Sequence, residues 1–310
     1  MFLYIIKRVF YLIPLLIGIT LLTFLLTRSL PGDPALNLVG ERANPEVLEN
    51  IRKDIGADSP FFIQYAGYLK MLLKGQMGVS YFTKREVFAD ILLKFPNTLM
   101  LAFCAMSIAI PFGLILGFFT AERRGTIIDR VVTSLSVMGL SVPVFWSGLL
   151  IMLLFSLKMK LFPPSGTGGL RFMVLPAITL ALPALATIAR ITRTSVIEIQ
   201  EMPFINTARA KGLNHRRIQF VHVFRNVIIP VITVAGLDFG SYLNGSVLTE
   251  TIFGWDGIGK FTMEGIIRRD YPVIMGCIIV GTVVFVLINL MVDIAYHYLD
   301  PRVKLHEVRR

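Results

Sequence analysis

The stretch NTARAKGLNHRRIQFVHVFRN runs from Asn206 to Asn226 and carries five basic residues and no acidic one. We call it the basic segment. Long apolar runs precede and follow it, so it lies between two parts of the chain that avoid water. A basic segment between two apolar runs is typical of a loop that joins two membrane-spanning helices on the cytoplasmic side of a membrane.

The composition extends this interpretation to the whole chain. Of the 310 residues, 55% are hydrophobic and 16% are charged, and the mean hydropathy is +0.69. A soluble globular domain has about 45–50% apolar and about 25% charged residues. In a soluble protein, a net charge of +11 would indicate nucleic-acid binding. In a membrane protein Lys and Arg accumulate in cytoplasmic loops, so we expect contact with membrane lipid and none with nucleic acid.

Six apolar runs are long enough to cross about 30 Å of hydrocarbon, which takes about 20 helical residues. The fourth is the weakest candidate because Pro176 and Pro183 interrupt it. The first is longer than the apolar part of a cleaved signal peptide, so we expect an uncleaved helix. The sequence therefore predicts an all-α polytopic membrane protein with six transmembrane helices, at residues 9–30, 99–121, 131–157, 172–189, 227–247 and 273–296.

The charges of the connecting loops predict the orientation. If the N-terminus is cytoplasmic, the loops on its side hold 16 Lys and Arg against six acidic residues. The loops on the other side are longer and hold 14 against 12. Because basic residues accumulate on the cytoplasmic side, we expect both termini and the basic segment to be cytoplasmic.

The longest connection between predicted spans, 31–98, contains signals for two further helices. Asn44 is a candidate N-cap and Gly56 a stop signal for a short helix. Residues 59–75 form an amphipathic, aromatic-rich pattern, which predicts a helix on the outer membrane surface or packed against other loops. We divide the chain into a first helix with an extracytoplasmic region (1–98), a transmembrane domain (99–300) with cytoplasmic helices at about 203–225, and a cytoplasmic tail (301–310).

The basic segment and its flanks predict two short helices joined at a corner. The first begins at Pro203 and ends at Gly212, and the second runs toward the next span. A helix with one apolar and one cationic face either lies on anionic lipid or docks on a protein, and the helix–glycine–helix corner favours docking. In the second helix, Ile218, Val221 and either Phe224 or Arg225 fall at the spacing of one helix face, which is the predicted apolar face.

Several motifs together resemble the permease subunits of peptide and nickel ABC importers. The docking loop of that family has an alanine-rich stretch, a glycine and a later proline, as in ARAKGL and FRNVIIP here. The resemblance covers nearly the whole chain. The other motifs that carry it are LPGDPA, IGADSPFFIQYAGYLKMLLKGQMGVS, FPNTLMLA, SVPVFWSGLL, TETIFGWDGIGKF and DPRVK.

The resemblance implies a type I ABC importer permease fold in the cell membrane. It further implies a second similar permease that completes the pore, two cytoplasmic ATPase subunits and an extracytoplasmic binding protein. Peptides are the first expected substrate and nickel, as a chelate, is the alternative. An ion-driven secondary transporter is the rival from another class. The residues implied to dock on the ATPase are Ala208, Arg209, Ala210, Lys211, Gly212 and Leu213.

The stretch GWDGIGK, from Gly254 to Lys260, has the spacing of a phosphate-binding loop. Three features argue against a phosphate-binding loop. Phe261 follows the stretch at the position where Mg²⁺ coordination needs Ser or Thr. No strand is predicted before the stretch, and the stretch falls on the extracytoplasmic side. We therefore expect a glycine-rich turn there, and no ATP site in this chain. No catalytic residues are expected, because neither a nucleophile–base–acid set nor a zinc-protease motif is present in a suitable context.

The fifth predicted span contains a candidate translocation path. Asp238 is an acid within an apolar run, which marks either a functional site or a pair with a neighbouring helix. Gly236 and Gly240 have the spacing that lets helices approach closely. Cysteines and histidines show no metal-ligand spacing, so neither a metal nor another cofactor is expected. The candidate path residues are Asp238, Ser241, Asn244 and Ser246.

Overall fold

The computed structural model describes residues 2–29, 59–244 and 246–299, and this part of the chain is built from helices. The predicted helix at 44–56 and the tail at 301–310 lie outside the described residues. The α-helices are α1 (Phe2–Ser29), α2 (Phe61–Leu73), α3 (Val87–Glu122), α4 (Ile127–Ser141), α5 (Val144–Ile151), α6 (Leu170–Gln200), α7 (Pro203–Ala210), α8 (His215–Arg217), α9 (Phe224–Leu243), α10 (Val247–Ile252), α11 (Ile258–Arg268) and α12 (Tyr271–Leu299). The described residues also include two π-helical segments, π1 (Met152–Lys158) and π2 (Ile218–Val223).

Within the described residues, four helical stretches are long and apolar enough to cross a membrane. They are Val87–Glu122, Leu170–Gln200, His215–Leu243 and Tyr271–Ala295, and they correspond to the second, fourth, fifth and sixth predicted spans. The apolar part found in α1 is shorter, at Ile13–Leu25, so the first span remains a prediction.

The third predicted span is not one straight helix. Ile127–Ser141 and Val144–Lys158 pass the length and composition test only together, and they are bent by 103° at the break between them. Pro143 is the N-cap of α5, and Val142 before it is extended, with φ −82° and ψ 126°. A residue before proline avoids the helical region, so this dipeptide ends α4 and lets the chain change direction.

The fourth predicted span, expected to be the weakest, is the central helix of the molecule. α6 continues through Pro176 and Pro183 without a break. In its apolar stretch 61% of the residues are buried, against 33% or less in the other three spans. The expectation was wrong because neighbouring helices surround α6, and membrane helices accommodate proline when their neighbours re-satisfy the freed backbone groups.

Glycine brings α3 close to α6. A Cβ at Gly117 would lie 2.6 Å from the carbonyl oxygen of Ala189, and one at Gly113 would lie 2.7 Å from Cγ2 of Ile188. Positions four residues apart share one helix face, so this face of α3 packs closely on α6 at both glycines. Gly236 of α9 is similarly close to Val292 of α12, which confirms the close approach that glycine spacing predicted for this helix.

An ion pair joins α4 to α6, and a cluster of aromatic rings joins α1 to α2. Asp129, buried in the first turn of α4, receives two hydrogen bonds from Arg193 of α6, at 2.6 and 2.8 Å. A planar, two-point pair of this kind fixes the relative orientation of the two helices. At the other end of the bundle, Phe24 of α1 packs against the rings of Phe61, Tyr65 and Tyr68 of α2. The aromatic face of α2 therefore covers α1.

Candidate functional site

The first half of the basic segment ends in a glycine corner. α7 begins with Pro203. Proline fits this position because a backbone N–H there would have no acceptor within the helix. At Gly212 φ is +75°, in the left-handed region that glycine adopts easily. The N–H of Gly212 donates to Arg209 (2.9 Å) and that of Leu213 to Ala208 (3.3 Å). A Cβ at position 212 would meet no atom within 4 Å, so the backbone angle alone favours glycine.

The structure separates the six residues implied to dock on an ATPase into two groups. Ala208 is buried and Leu213 packs against the central hydrophobic core, so both anchor the corner to the helix bundle. Ile205, one turn before Ala208, is fully buried and adds to this anchor. The other four residues are exposed and form the outward surface of the corner: Arg209, Ala210, Lys211 and Gly212.

The second half of the basic segment differs from the predicted amphipathic helix. Ile218 and Val223 are buried, whereas Val221 is 49% exposed and Phe224 is 37% exposed, so the predicted apolar stripe is wrong after Ile218. The cause is π2, where each turn holds more residues than an α-turn and the three-residue spacing leaves the buried face. The buried positions become Ile218, Gln219, Val223 and Val227.

The four candidate path residues have different surroundings. Asp238 is partly buried in α9, and its Oδ2 atom is buried without a hydrogen-bond partner. Ser241 is exposed one turn further along. Asn244 lies against α12, because a Cβ on Gly281 would be 3.1 Å from its Cγ. Ser246 donates a hydrogen bond to Glu250 (3.4 Å) and belongs to a separate network.

Glu250 is the centre of a polar network at the end of the bundle opposite the basic segment. Its side chain is fully buried, with 0% exposure. It accepts hydrogen bonds from Oγ1 of Thr98 (2.9 Å) and from the N–H of Lys260 (3.0 Å). Burial raises the pKa of Glu250 above its ordinary value, and these hydrogen bonds offset part of the rise. This role could not be predicted from the sequence, since Glu250 lies in an ordinary polar stretch.

The glycine-rich loop GWDGIGK encloses this carboxylate rather than a phosphate. A Cβ at Gly257 would lie 2.6 Å from Cδ of Glu250, and one at Gly259 would lie 2.9 Å from its Oε2. The loop is preceded by α10, not by a strand. Its backbone groups therefore serve an internal side chain, as expected for a structural turn.

The same loop is tied to the start of α3. The indole N–H of Trp255 donates to the carbonyl of Asn97 (3.0 Å), and the Asn97 amide donates to the carbonyl of Asp256 (2.7 Å). Lys94 forms an ion pair with the Asp256 carboxylate. Because these contacts join residues about 160 positions apart, they fix the loop between α10 and α11 on the helix bundle.

A second buried acid fastens another pair of loops at this end. Asp270 is 3% exposed and accepts hydrogen bonds from Oγ of Ser80 (2.5 Å) and from the N–H groups of Tyr81 (3.1 Å) and Phe82 (3.3 Å). Asp270 directly precedes α12, so the contact joins the start of the last helix to the loop before α3.

Models of two protein families match the chain over most of its length. The model of the binding-protein-dependent transport system inner membrane component matches residues 109–305, and that of the N-terminal part of such membrane components matches residues 1–102.

The fold agrees with solved structures. The inward-facing MetNI methionine ABC transporter superposes with a TM-score of 0.58 at 18% identity, over 68% of this chain and 96% of that chain. An amino acid ABC transporter superposes with a TM-score of 0.54 at 17% identity, over 68% of this chain and 94% of that chain.

Curated relatives are similar over 97% of this chain and 98% of their own length. The di/tripeptide transport system permease protein DppB of Pseudomonas aeruginosa is 40% identical, and the dipeptide transport system permease protein DppB of Escherichia coli K12 is 36% identical. The glutathione transport system permease protein GsiC of Pectobacterium atrosepticum is 38% identical. The chain therefore belongs to the family of binding-protein-dependent transport system inner membrane components, the permease subunits of ABC importers.

Proposed function

We propose that this permease carries short peptides across the cell membrane. The observation that carries the proposal is similarity over the full length to permeases named for di- and tripeptides, dipeptides and glutathione. Glutathione is itself a small peptide, so the three relatives share one substrate class. Because the chain belongs to a family of ABC importer permeases, this function is favoured over an ion-driven secondary transporter.

The proposed assembly contains a second permease of the same family, two ATPase subunits and an extracytoplasmic binding protein. The exposed surface of the corner, Arg209 to Gly212, is the proposed contact with one ATPase. Ile205, Ala208 and Leu213 hold this corner to the core, so a movement of the corner is transmitted to the helix bundle. ATP-driven closure of the ATPases would then rotate the two permeases relative to each other, as alternating access requires.

In this proposal the chain has cytoplasmic termini and supplies the path but not the energy. Residues 1–98 remain the proposed first transmembrane helix with its extracytoplasmic region. Residues 99–300 remain the proposed transmembrane domain with cytoplasmic helices at about 203–225, and residues 301–310 the proposed cytoplasmic tail. Asp238 and Ser241 are the proposed path residues, since the carboxylate has an unpaired buried oxygen and the hydroxyl residue is exposed. Asn244, which lies against α12, and Ser246, which donates a hydrogen bond to Glu250, complete the proposed set.

The test is purification of the chain from its native membrane after mild crosslinking, followed by identification of the attached proteins by mass spectrometry. We expect a second permease and ATPase subunits. The complex, reconstituted in vesicles with its binding protein, should accumulate labelled dialanine only when ATP is present on the ATPase side. Recovery of the chain alone, or uptake of nickel but not of dialanine, would contradict the proposal.

A further inference from the structure

A polar cavity of about 480 Å³ lies at the end of the bundle that carries the basic segment. Three parts of the chain meet around it: the end of α3, the end of α6 and the beginning of the second half of the basic segment. Most ligand pockets are predominantly apolar with a few polar groups, whereas this cavity is lined mainly by polar and charged side chains. They are Glu122, Arg124, Gln200, Glu201, His215 and Gln219.

Gln219 is the feature that indicates a ligand. Its side chain lines the cavity, is only 7% exposed, and has an Oε1 atom that is buried without a hydrogen-bond partner. Leaving a buried acceptor unpaired costs free energy, so native structures rarely do it without a reason. Gln219 also lies in π2, and π-helical turns occur frequently at functional sites. An unpaired buried acceptor in a residue that lines a cavity indicates a donor from a bound molecule.

The charged groups around Gln219 indicate which donor fits. Glu122 and Glu201 bring two carboxylates to the cavity, and a positively charged N–H donor matches carboxylates and an amide oxygen together. Arg124 lines the same cavity, with its Nη1 atom 2.6 Å from Oε1 of Glu201. The Nε2 atom of His215 lies 3.8 Å from Oε1 of Glu122. The cavity thus offers acceptors for a cation and a guanidinium for an anion.

We propose that this cavity binds a small zwitterion with a primary ammonium group and a carboxylate, of the size of an amino acid or a dipeptide. The ammonium donates to Oε1 of Gln219 and to Glu122, and the carboxylate accepts from Arg124. The volume is within the range of small-molecule pockets and exceeds what one ammonium group would fill.

The position of the cavity gives the ligand a regulatory effect. Gln219 and His215 belong to the basic segment, while Glu122 ends α3 and Glu201 directly follows α6. A ligand that bridges them resists movement of the segment relative to the bundle. This step rests on the proposed function: the transported peptide is released on this side, so its accumulation would slow ATP-driven transport.

The experiment is calorimetric titration of dialanine into the purified complex of permeases and ATPases, without the binding protein. We expect saturable binding, and no comparable binding of methylammonium or acetate, each of which carries one of the two charges. Gln219→Leu and Glu122→Gln should each weaken binding about tenfold, since each removes a hydrogen bond to a charged group. Glu198→Gln, an exposed carboxylate of α6 outside the cavity, is the matched control and should bind normally.

Three results would overturn the proposal. One is the absence of binding to the wild-type complex. Another is unchanged binding in both Gln219→Leu and Glu122→Gln; loss of that binding in Asp238→Asn would then place the ligand in the translocation path. The third is binding to the permeases alone but not to the complex, which would show that an ATPase side chain occupies the cavity. Recovery of the permease with its ATPases tests the proposed function separately, so the two failures are distinguishable.

Discussion

At the scale of single residues, Glu250 shows how a charge is kept inside the protein. Its carboxylate is fully buried, yet donors from Thr98, Ser246 and the backbone of Lys260 surround it. Burial has the larger effect, because the pKa of this group is raised in spite of those hydrogen bonds. The folded protein therefore holds this proton at a higher pH than the unfolded chain does.

This raised pKa predicts a pH dependence of stability. Between the ordinary pKa of 4.5 and the higher folded value, the folded state binds more protons, so the free energy of unfolding falls as pH rises through this window. Glu250→Gln cannot ionise and should lose this part of the dependence. The measurement is the melting temperature of the purified protein from about pH 5 to about pH 8. Glu264→Gln, in the neighbouring helix α11 and with a side chain that is 42% exposed, should keep the wild-type profile. Equal profiles for all three proteins would contradict the assignment.

Substitutions at Gly212 test whether the backbone angle, rather than the room for a side chain, requires glycine at this position. Its φ of +75° costs an ordinary residue about 1–2 kcal/mol, whereas asparagine adopts this region more easily. No neighbouring atom would obstruct a side chain. Gly212→Val should therefore reduce the recovery of ATPase subunits with the permease, and Gly212→Asn should largely preserve it. Membrane insertion should be normal in both. Full ATPase recovery and uptake in Gly212→Val would show that the corner is not the docking element.

At the scale of helices, the α3–α6 contact depends on the absence of side chains. Even one added methyl group at Gly117 would lie 2.6 Å from a backbone oxygen of α6, which cannot move without the helix. Gly117→Ala should therefore destabilise the protein by about 1–3 kcal/mol, the usual cost of overpacking. Gly139→Ala is the control, because its Cβ would make an ordinary contact of 3.8 Å with Ala186. Thermal unfolding in detergent measures both; similar melting temperatures would show that the helices can separate.

The sequence predicted these helices better than it predicted their shapes. Within the described residues apolar length identified four of the six predicted spans, and the glycine rule identified the corner at Gly212, since both depend on local chemistry. Surroundings decide the rest: α6 continues through two prolines because other helices cover it, and π2 turns Val221 outward although its spacing fits an α-helix. Glu250 could not be recognised, since its partner Thr98 lies 152 positions away along the chain.

At the scale of the whole molecule, the helices differ in how much of their apolar surface they bury. α6 is the most buried of the long apolar helices, whereas α4, α5 and π1 leave many large apolar side chains exposed, and Leu135, Met138, Trp146 and Leu157 are examples. Their exposure fits either lipid or the second permease, both of which a membrane complex provides. The two ends also differ. The basic segment occupies one end, and the buried acids Glu250 and Asp270 organise the loops of the other.

This difference between the ends predicts the orientation in the membrane. Because basic residues accumulate on the cytoplasmic side, Asn214→Cys should react with a membrane-impermeant thiol reagent only when the cytoplasmic face is accessible. Arg171→Cys, exposed at the start of α6, should react from the opposite face. Both variants need a background in which Cys104 and Cys277 are replaced by alanine. Labelling of intact cells and of inside-out vesicles separates the two faces. Reaction of Asn214→Cys in intact cells would reverse the proposed orientation, and the basic corner would then lie on the side without ATPases.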